Sequence, residues 1–204
     1  MAIYMAVYMP VFFWVESLNP EGGFNIIHTA IDDMIPVVEI FIIPYILWLP
    51  YLCAGMIAIA VRSRFLSRKT AYMLMAGMTL FVVISLVYPN ALELRDAIPD
   101  RKNIFMELIN HLHAIDTPTD VFPSLHVYDA LVVTAGMHLT FRDKKVLLAL
   151  CDVLTVLIVL STVFIKQHSI IDVIGAFVIF AVVFIVICFL IRPVTKVAAK
   201  QKQS

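Results

Sequence analysis

Residues 121–141 read VFPSLHVYDALVVTAGMHLTF, an apolar run that opens on a proline and holds a serine, two histidines and an aspartate. A helix rises 1.5 Å per residue, so a run of this length reaches across a bilayer core of about 30 Å. Four more runs do the same: Pro36 to Val61, Thr70 to Tyr88, Val146 to Ile165 and Ile170 to Ile191. Ala2 to Trp14 is shorter and lacks the basic start of a signal peptide, so it reads as a first span. The chain of 204 residues is 62% apolar and 15% charged, with a mean hydropathy of +0.95. A soluble domain of that size needs far more polar surface. The expectation is an all-α, six-transmembrane-helix bundle, one domain over residues 1–204.

Cations orient such a bundle, because Lys and Arg favour the cytoplasmic side. Arg62, Arg64, Arg68 and Lys69 follow the second span, Arg142, Lys144 and Lys145 the fourth, and Arg192, Lys196, Lys200 and Lys202 the sixth. That is eleven of fifteen cations on one side, against Arg95, Arg101, Lys102 and Lys166 on the other. Both termini are therefore expected in the cytoplasm, with the loops after spans one, three and five facing outward, the plasma membrane being the expected site. The outward loop 89–122 carries an amphipathic piece at Ile104 to Ile115, suited to lie along the interface. His28 to Pro36, HTAIDDMIP, reads as a capped, half-buried lead-in to span two, with Asp32 and Asp33 as helix-start acids. Trp14 and Trp48 sit near span ends, as interface anchors do. With a net charge of zero and no basic patch, nucleic acid is not an expected partner; membrane lipids are. Cys53, Cys151 and Cys188 are isolated within spans, which fits packing rather than a disulfide framework or a zinc site.

Ionisable groups in or beside spans are costly and tend to be functional or paired. Three such places share the outward level: YPNALELR (Tyr88 to Arg95), the start of the 121–141 run, and KQHSIID (Lys166 to Asp172). Together they deliver Arg95, Ser124, His126, Lys166, His168 and Asp172. His168 and Asp172 are four apart, one helical turn. A carboxylate there fixes the imidazole tautomer and leaves the other ring nitrogen as a nucleophile. Pro123 suits a first helical turn, which places Ser124, Leu125 and His126 at a helix N-terminus whose free N–H groups seat an anion. Arg95 and Lys166 add positive charge for a phosphate, and a protonated His126 can act as general acid. The constellation suits phosphoryl transfer with no metal and no cofactor.

FPSLH, and Ser161 with His168 and Asp172 as S-x6-H-x3-D, resemble the second and third signatures of the type 2 phosphatidic acid phosphatase superfamily. The leucine of PSLH, STVFIKQHSIIDV and DDMIP are similar to the branch containing inositol phosphorylceramide synthases. The resemblance implies six helices, His168 as the residue that becomes phosphorylated, Asp172 as its orienter and His126 as the acid. It also implies a phosphate held by Arg95, Ser124 and backbone amides such as that of Leu125. The chain departs from the first signature, Lys-x6-Arg-Pro, with Tyr88 at the Lys position and Asp96 at the Pro position. Thr162 stands where the third signature has Arg; Lys166 is the expected substitute cation.

The resulting expectation is a membrane lipid-phosphate phosphatase acting on phosphatidic acid-like or polyprenyl-phosphate substrates. A phospholipid head-group phosphotransferase and a non-catalytic lipid-phosphate binder or transporter stand as alternatives. His111, His113, Asp116 and Asp120 lack ligand spacing and read as a solvated loop. Asp152 is expected to have a structural partner, and Asp129, one turn below His126, is a candidate to orient it. The residues leave the oligomeric state open.

Overall fold

A computed structural model describes residues 2–95 and 98–191; Asp96 and the cations Arg192, Lys196, Lys200 and Lys202 lie outside them. The described residues are 73% helical. In order come α1 (Ala2–Glu16), the two-residue strand β1 (Asn25–Ile26), α2 (Ala30–Met34), a 3-10 turn (Glu39–Phe41), α3 (Ile42–Arg62) and α4 (Arg64–Val87). After these follow β2 (Asn90–Ala91), α5 (Ile104–Ile115), α6 (Leu125–Thr140), α7 (Lys145–Phe164) and α8 (Ile170–Leu190). The amphipathic piece read from the sequence is α5, with its bounds unchanged.

Among the described residues four helices are long and apolar enough to cross a membrane: Glu39–Arg62, α4, α7 and α8. α1 and α6 are shorter, at 15 and 16 residues. The 121–141 run turns helical only at Leu125. Ser124 is the N-cap, its hydroxyl accepting from the Val127 N–H, so Pro123 lies outside the helix rather than in its first turn.

Although short, α6 is the hub, packing against α3, α4, α7 and α8. Val127, Tyr128, Val132 and Val133 on it are fully buried. Close approach depends on missing side chains. A Cβ at Gly77 of α4 would run into the Tyr128 ring, and one at Gly55 of α3 into Val133. Filling either gap forces neighbours to move, at about 1–3 kcal/mol. Tyr128 then closes the contact by donating from its hydroxyl to the Met73 carbonyl at 2.6 Å.

At one end of the bundle three loops are stitched together. β1 pairs in parallel with β2, and Ala91 bridges to Thr119. The Asp120 N–H donates to the Asn90 carbonyl at 2.6 Å, and the buried Asn90 side chain accepts from the Phe122 N–H at 2.9 Å. These bonds hold the start of α6 beside the end of α4.

Candidate active site

A further loop, between α7 and α8, carries His168. α7 ends with Lys166 in the left-handed region at φ 59, and the N–H groups of Gln167 and His168 both donate to the Thr162 carbonyl at 3.0 Å. A positive φ at a non-glycine costs about 1–3 kcal/mol and persists only where the surroundings impose it. Here they do. The Lys166 ammonium, 3% exposed, donates to the carbonyls of Asp32 at 2.5 Å and Ile35 at 2.7 Å. Burial pulls its pKa below the ordinary lysine value, with Asp32 and Asp33 opposing.

On the other side of His168 the same lead-in segment grips again. Asp32, 1% exposed, accepts from the Ser169 hydroxyl at 2.7 Å and the Ile170 N–H at 2.9 Å. It also closes the capping box of α2 with Thr29. Burial alone would raise the Asp32 carboxyl; the hydrogen bonds from Ser169, Ile170 and Thr29 outweigh it and hold the pKa below the ordinary value. Asp32 is thus more than a helix-start acid. It ties residues 29–35 to the loop that presents His168.

His168 is 7% exposed and its Nδ1 lies 3.3 Å from Asp172 Oδ2, with Asp172 fully buried. The pair does not share a helical face, as the four-residue spacing suggested. His168 precedes the N-cap Ser169, and Asp172 reaches back from the third helical position, where it also accepts from the Ser169 N–H at 2.9 Å. The capping box therefore aims the carboxylate at the imidazole. With Nδ1 committed, Nε2 is the nitrogen left for chemistry.

His126, second residue of α6, stands among rings. Tyr45 stacks on it with centroids 4.5 Å apart, Trp48 tilts over it at 4.3 Å, and His168 lies at 5.6 Å. Its Nδ1 is buried without a hydrogen-bond partner, as is the Trp48 indole nitrogen. Trp48 is therefore part of the histidine's berth, not only an interface anchor.

Arg95, His126, His168 and Leu125 line one cavity of about 80 Å³. That is room for several waters or an oxyanion. The guanidinium is fixed from behind: Nη1 donates to the carbonyls of His113 at 3.1 Å and Asp116 at 2.7 Å, and Nη2 donates to Gln167 Oε1 at 2.8 Å. Gln167 in turn donates to Asp116 Oδ2 at 2.6 Å and to the Tyr45 hydroxyl at 3.3 Å. Asp116 is accordingly a half-buried partner and not a solvated loop residue; burial raises its pKa while Arg95 and His168 oppose. His113, half-buried beside Arg95, is pushed down to about 4 and stays neutral at neutral pH.

Two of the expected phosphate ligands stand elsewhere. Ser124 is fully buried, its hydroxyl used as the α6 cap and its N–H donated to the Asp172 carbonyl at 3.2 Å. Lys166 points at the carbonyls of α2 and its flank. Neither is on the cavity wall, whereas Gln167, Glu16, Asp116 and Asp120 are. Asp152 pairs with His138 at 2.7 Å, between α7 and α6. Asp129 is buried, with Oδ1 unpartnered. Among the described residues no group of three or more His, Cys, Asp or Glu is arranged to hold a metal ion.

Comparison with protein-family models, curated proteins and solved structures finds no match for the chain.

Proposed function

We propose that this chain is a six-span integral membrane enzyme that hydrolyses a lipid phosphate through a phosphohistidine at His168. One observation carries the reading. A buried imidazole with Nδ1 held by Asp172 shares a small cavity with a second imidazole and an anchored guanidinium. His168 Nε2 attacks phosphorus while Arg95 faces the developing charge. His126 protonates the departing alcohol, then takes a proton from the water that breaks the phosphorus–nitrogen bond.

The membrane setting rests on the four long apolar helices and on large exposed apolar residues along them, such as Ile57, Val153 and Ile185. α1 and the walled-in α6 complete the six spans in this reading. Charge bias puts both termini in the cytoplasm and the cavity on the extracytoplasmic face of the plasma membrane.

A second reading has a specific observation behind it. Among the described residues the cavity wall holds one cation, Arg95, beside the carboxylates Glu16, Asp116 and Asp120. Sparse positive charge favours a phosphodiester, which carries one negative charge fewer than a monoester, and so a head-group phosphotransferase.

The test is phosphate release in detergent by wild type and His168→Ala on phosphatidic acid, phosphatidylglycerol phosphate and undecaprenyl pyrophosphate. Release that vanishes with His168 is expected. Wild-type turnover by the variant removes His168 as nucleophile. Silence on this panel, followed by silence with phospholipid donors and diacylglycerol acceptor, makes the chain a binder of lipid phosphates.

A further inference from the structure

A second cavity of about 300 Å³ adjoins the reactive one, and Val15 and Asp120 line both. Its wall is largely apolar, with Leu18, Phe24 and Leu86, and two of its polar groups are unsatisfied. Ser85, on the last turns of α4, is 2% exposed and its hydroxyl has no hydrogen-bond partner. Asp120 Oδ1 is likewise buried and unpartnered. A buried polar atom left without a partner is expensive, and such orphans at a cavity wall mark where a ligand group belongs.

The two groups belong to one place. Burial pushes the Asp120 carboxyl up to about 6, and the Ser85 hydroxyl is near enough to pull it back, as is the backbone at Asn90. Asp120 also sits in the left-handed region at φ 52, fixed there by its N–H bond to the Asn90 carbonyl. Strain in a residue facing two cavities fits a side chain aimed for a purpose. One orphan is a carboxylate, which only accepts when ionised; the other is a hydroxyl, which donates. A single alcohol group set between them would satisfy both at once.

Resting on the phosphatase reading above, we infer that Ser85 and Asp120 form a recognition subsite for a free hydroxyl on the substrate's backbone, beside its phosphoester. The preferred substrates are then lipid monophosphates with an unacylated neighbouring hydroxyl. A fully acylated phosphate offers no donor at that place and leaves Asp120 Oδ1 without a partner. Sites built around a substrate hydroxyl discriminate strongly against the analogue that lacks it, because their own polar groups go unpaired. The apolar wall around Leu18, Phe24 and Leu86 takes the chain beyond the hydroxyl.

The test compares 1-oleoyl-lysophosphatidic acid with its 2-deoxy analogue, which keeps the tail and phosphate and removes only the hydroxyl. The readout is the ratio of kcat/KM for the two esters within one protein sample, so loss of folded enzyme cancels. Wild type is expected to favour the free hydroxyl by at least about tenfold. Asp120→Asn and the milder Ser85→Ala each bring that ratio toward one. Equal use of both esters by wild type overturns the subsite, as does a ratio unmoved in both variants, and either result leaves His168 as nucleophile. Failure of wild type to release phosphate from either ester, in a preparation also silent on phosphatidic acid, overturns the phosphatase reading and the subsite with it.

Discussion

Two histidines meet in one cavity on opposite kinds of support. His168 hangs on hydrogen bonds: Asp172 on its Nδ1, the Thr162 carbonyl on its N–H, and Asp32 on the two residues that follow it. His126 rests on the faces of Tyr45 and Trp48, with its Nδ1 unpartnered. The difference matches the two duties. A nucleophile has to keep one tautomer and one direction, which fixed acceptors impose. A group that gives and then takes a proton has to be tolerated in both states. Aromatic faces hold a neutral imidazole by dispersion and an imidazolium by cation–π attraction. A carboxylate on Nδ1 would bias one state.

The contrast can be broken at either end. The largest effect is expected at His168→Ala, a loss of at least about 10⁴-fold in turnover, with no acid-labile phosphoprotein trapped from ³²P-labelled lipid. His126→Ala should cost about 10²–10⁴-fold. Much of the loss in the phosphorylation step, read as the first-turnover burst, should return with a p-nitrophenyl phosphate ester, whose leaving group needs no proton. If the ester rescues nothing, His126 is not the acid.

Asp32→Ala tests the mount itself. It leaves the Ser169 hydroxyl and Ile170 N–H buried without acceptors, at about 1–3 kcal/mol each. A lower Tm in detergent is expected together with a fall in kcat at nearly constant KM, and Asp32→Asn should lie between. A loss confined to KM would mean that Asp32 shapes binding and not the nucleophile's aim. Acid reaches the same contact. The Asp32 pKa is lower folded than unfolded. Its stabilisation is therefore fully present above the unfolded value near 3.9 and disappears as pH falls through the folded value. Wild type should lose Tm below about pH 4 more steeply than Asp32→Asn; parallel curves would deny Asp32 that role. The smallest effect belongs to Tyr45→Phe, which keeps the ring on His126 and loses only the hydroxyl that accepts from Gln167. At most about 1 kcal/mol in kcat/KM is expected, and a loss as large as that of Asp32→Ala would make the berth a matter of hydrogen bonds after all.

What the sequence disclosed divides along the same line. The helices, the bounds of α5 and the meeting of Arg95, His126 and His168 were legible, because apolar runs and charges at span ends are local signals. Asp32 was half legible. Thr29 and Asp32 make a capping box that local spacing reveals, while its bonds to Ser169 and Ile170 leave no periodic trace. Lys166 looked like a phosphate cation because a charge at a span end looks alike whether it faces a ligand or two carbonyls. The start of α6 was misplaced by four residues, since Val121 and Phe122 are apolar enough to continue the run and only the Ser124 cap decides otherwise. Gln167 and Asp116, which brace Arg95, carry no pattern until the loops fold together.

Asp32 meets Ser169 across 137 positions. A ribosome adds about 5–20 residues per second, so the aspartate is made on the order of ten seconds before its partners. Until α8 arrives, every nascent chain holds an acid committed to burial with only its Thr29 donors in place. A product truncated before α8 never acquires the Ser169 and Ile170 donors, so its Asp32 keeps only Thr29, a chemical mark of incompleteness that owes nothing to the chemistry of the active site.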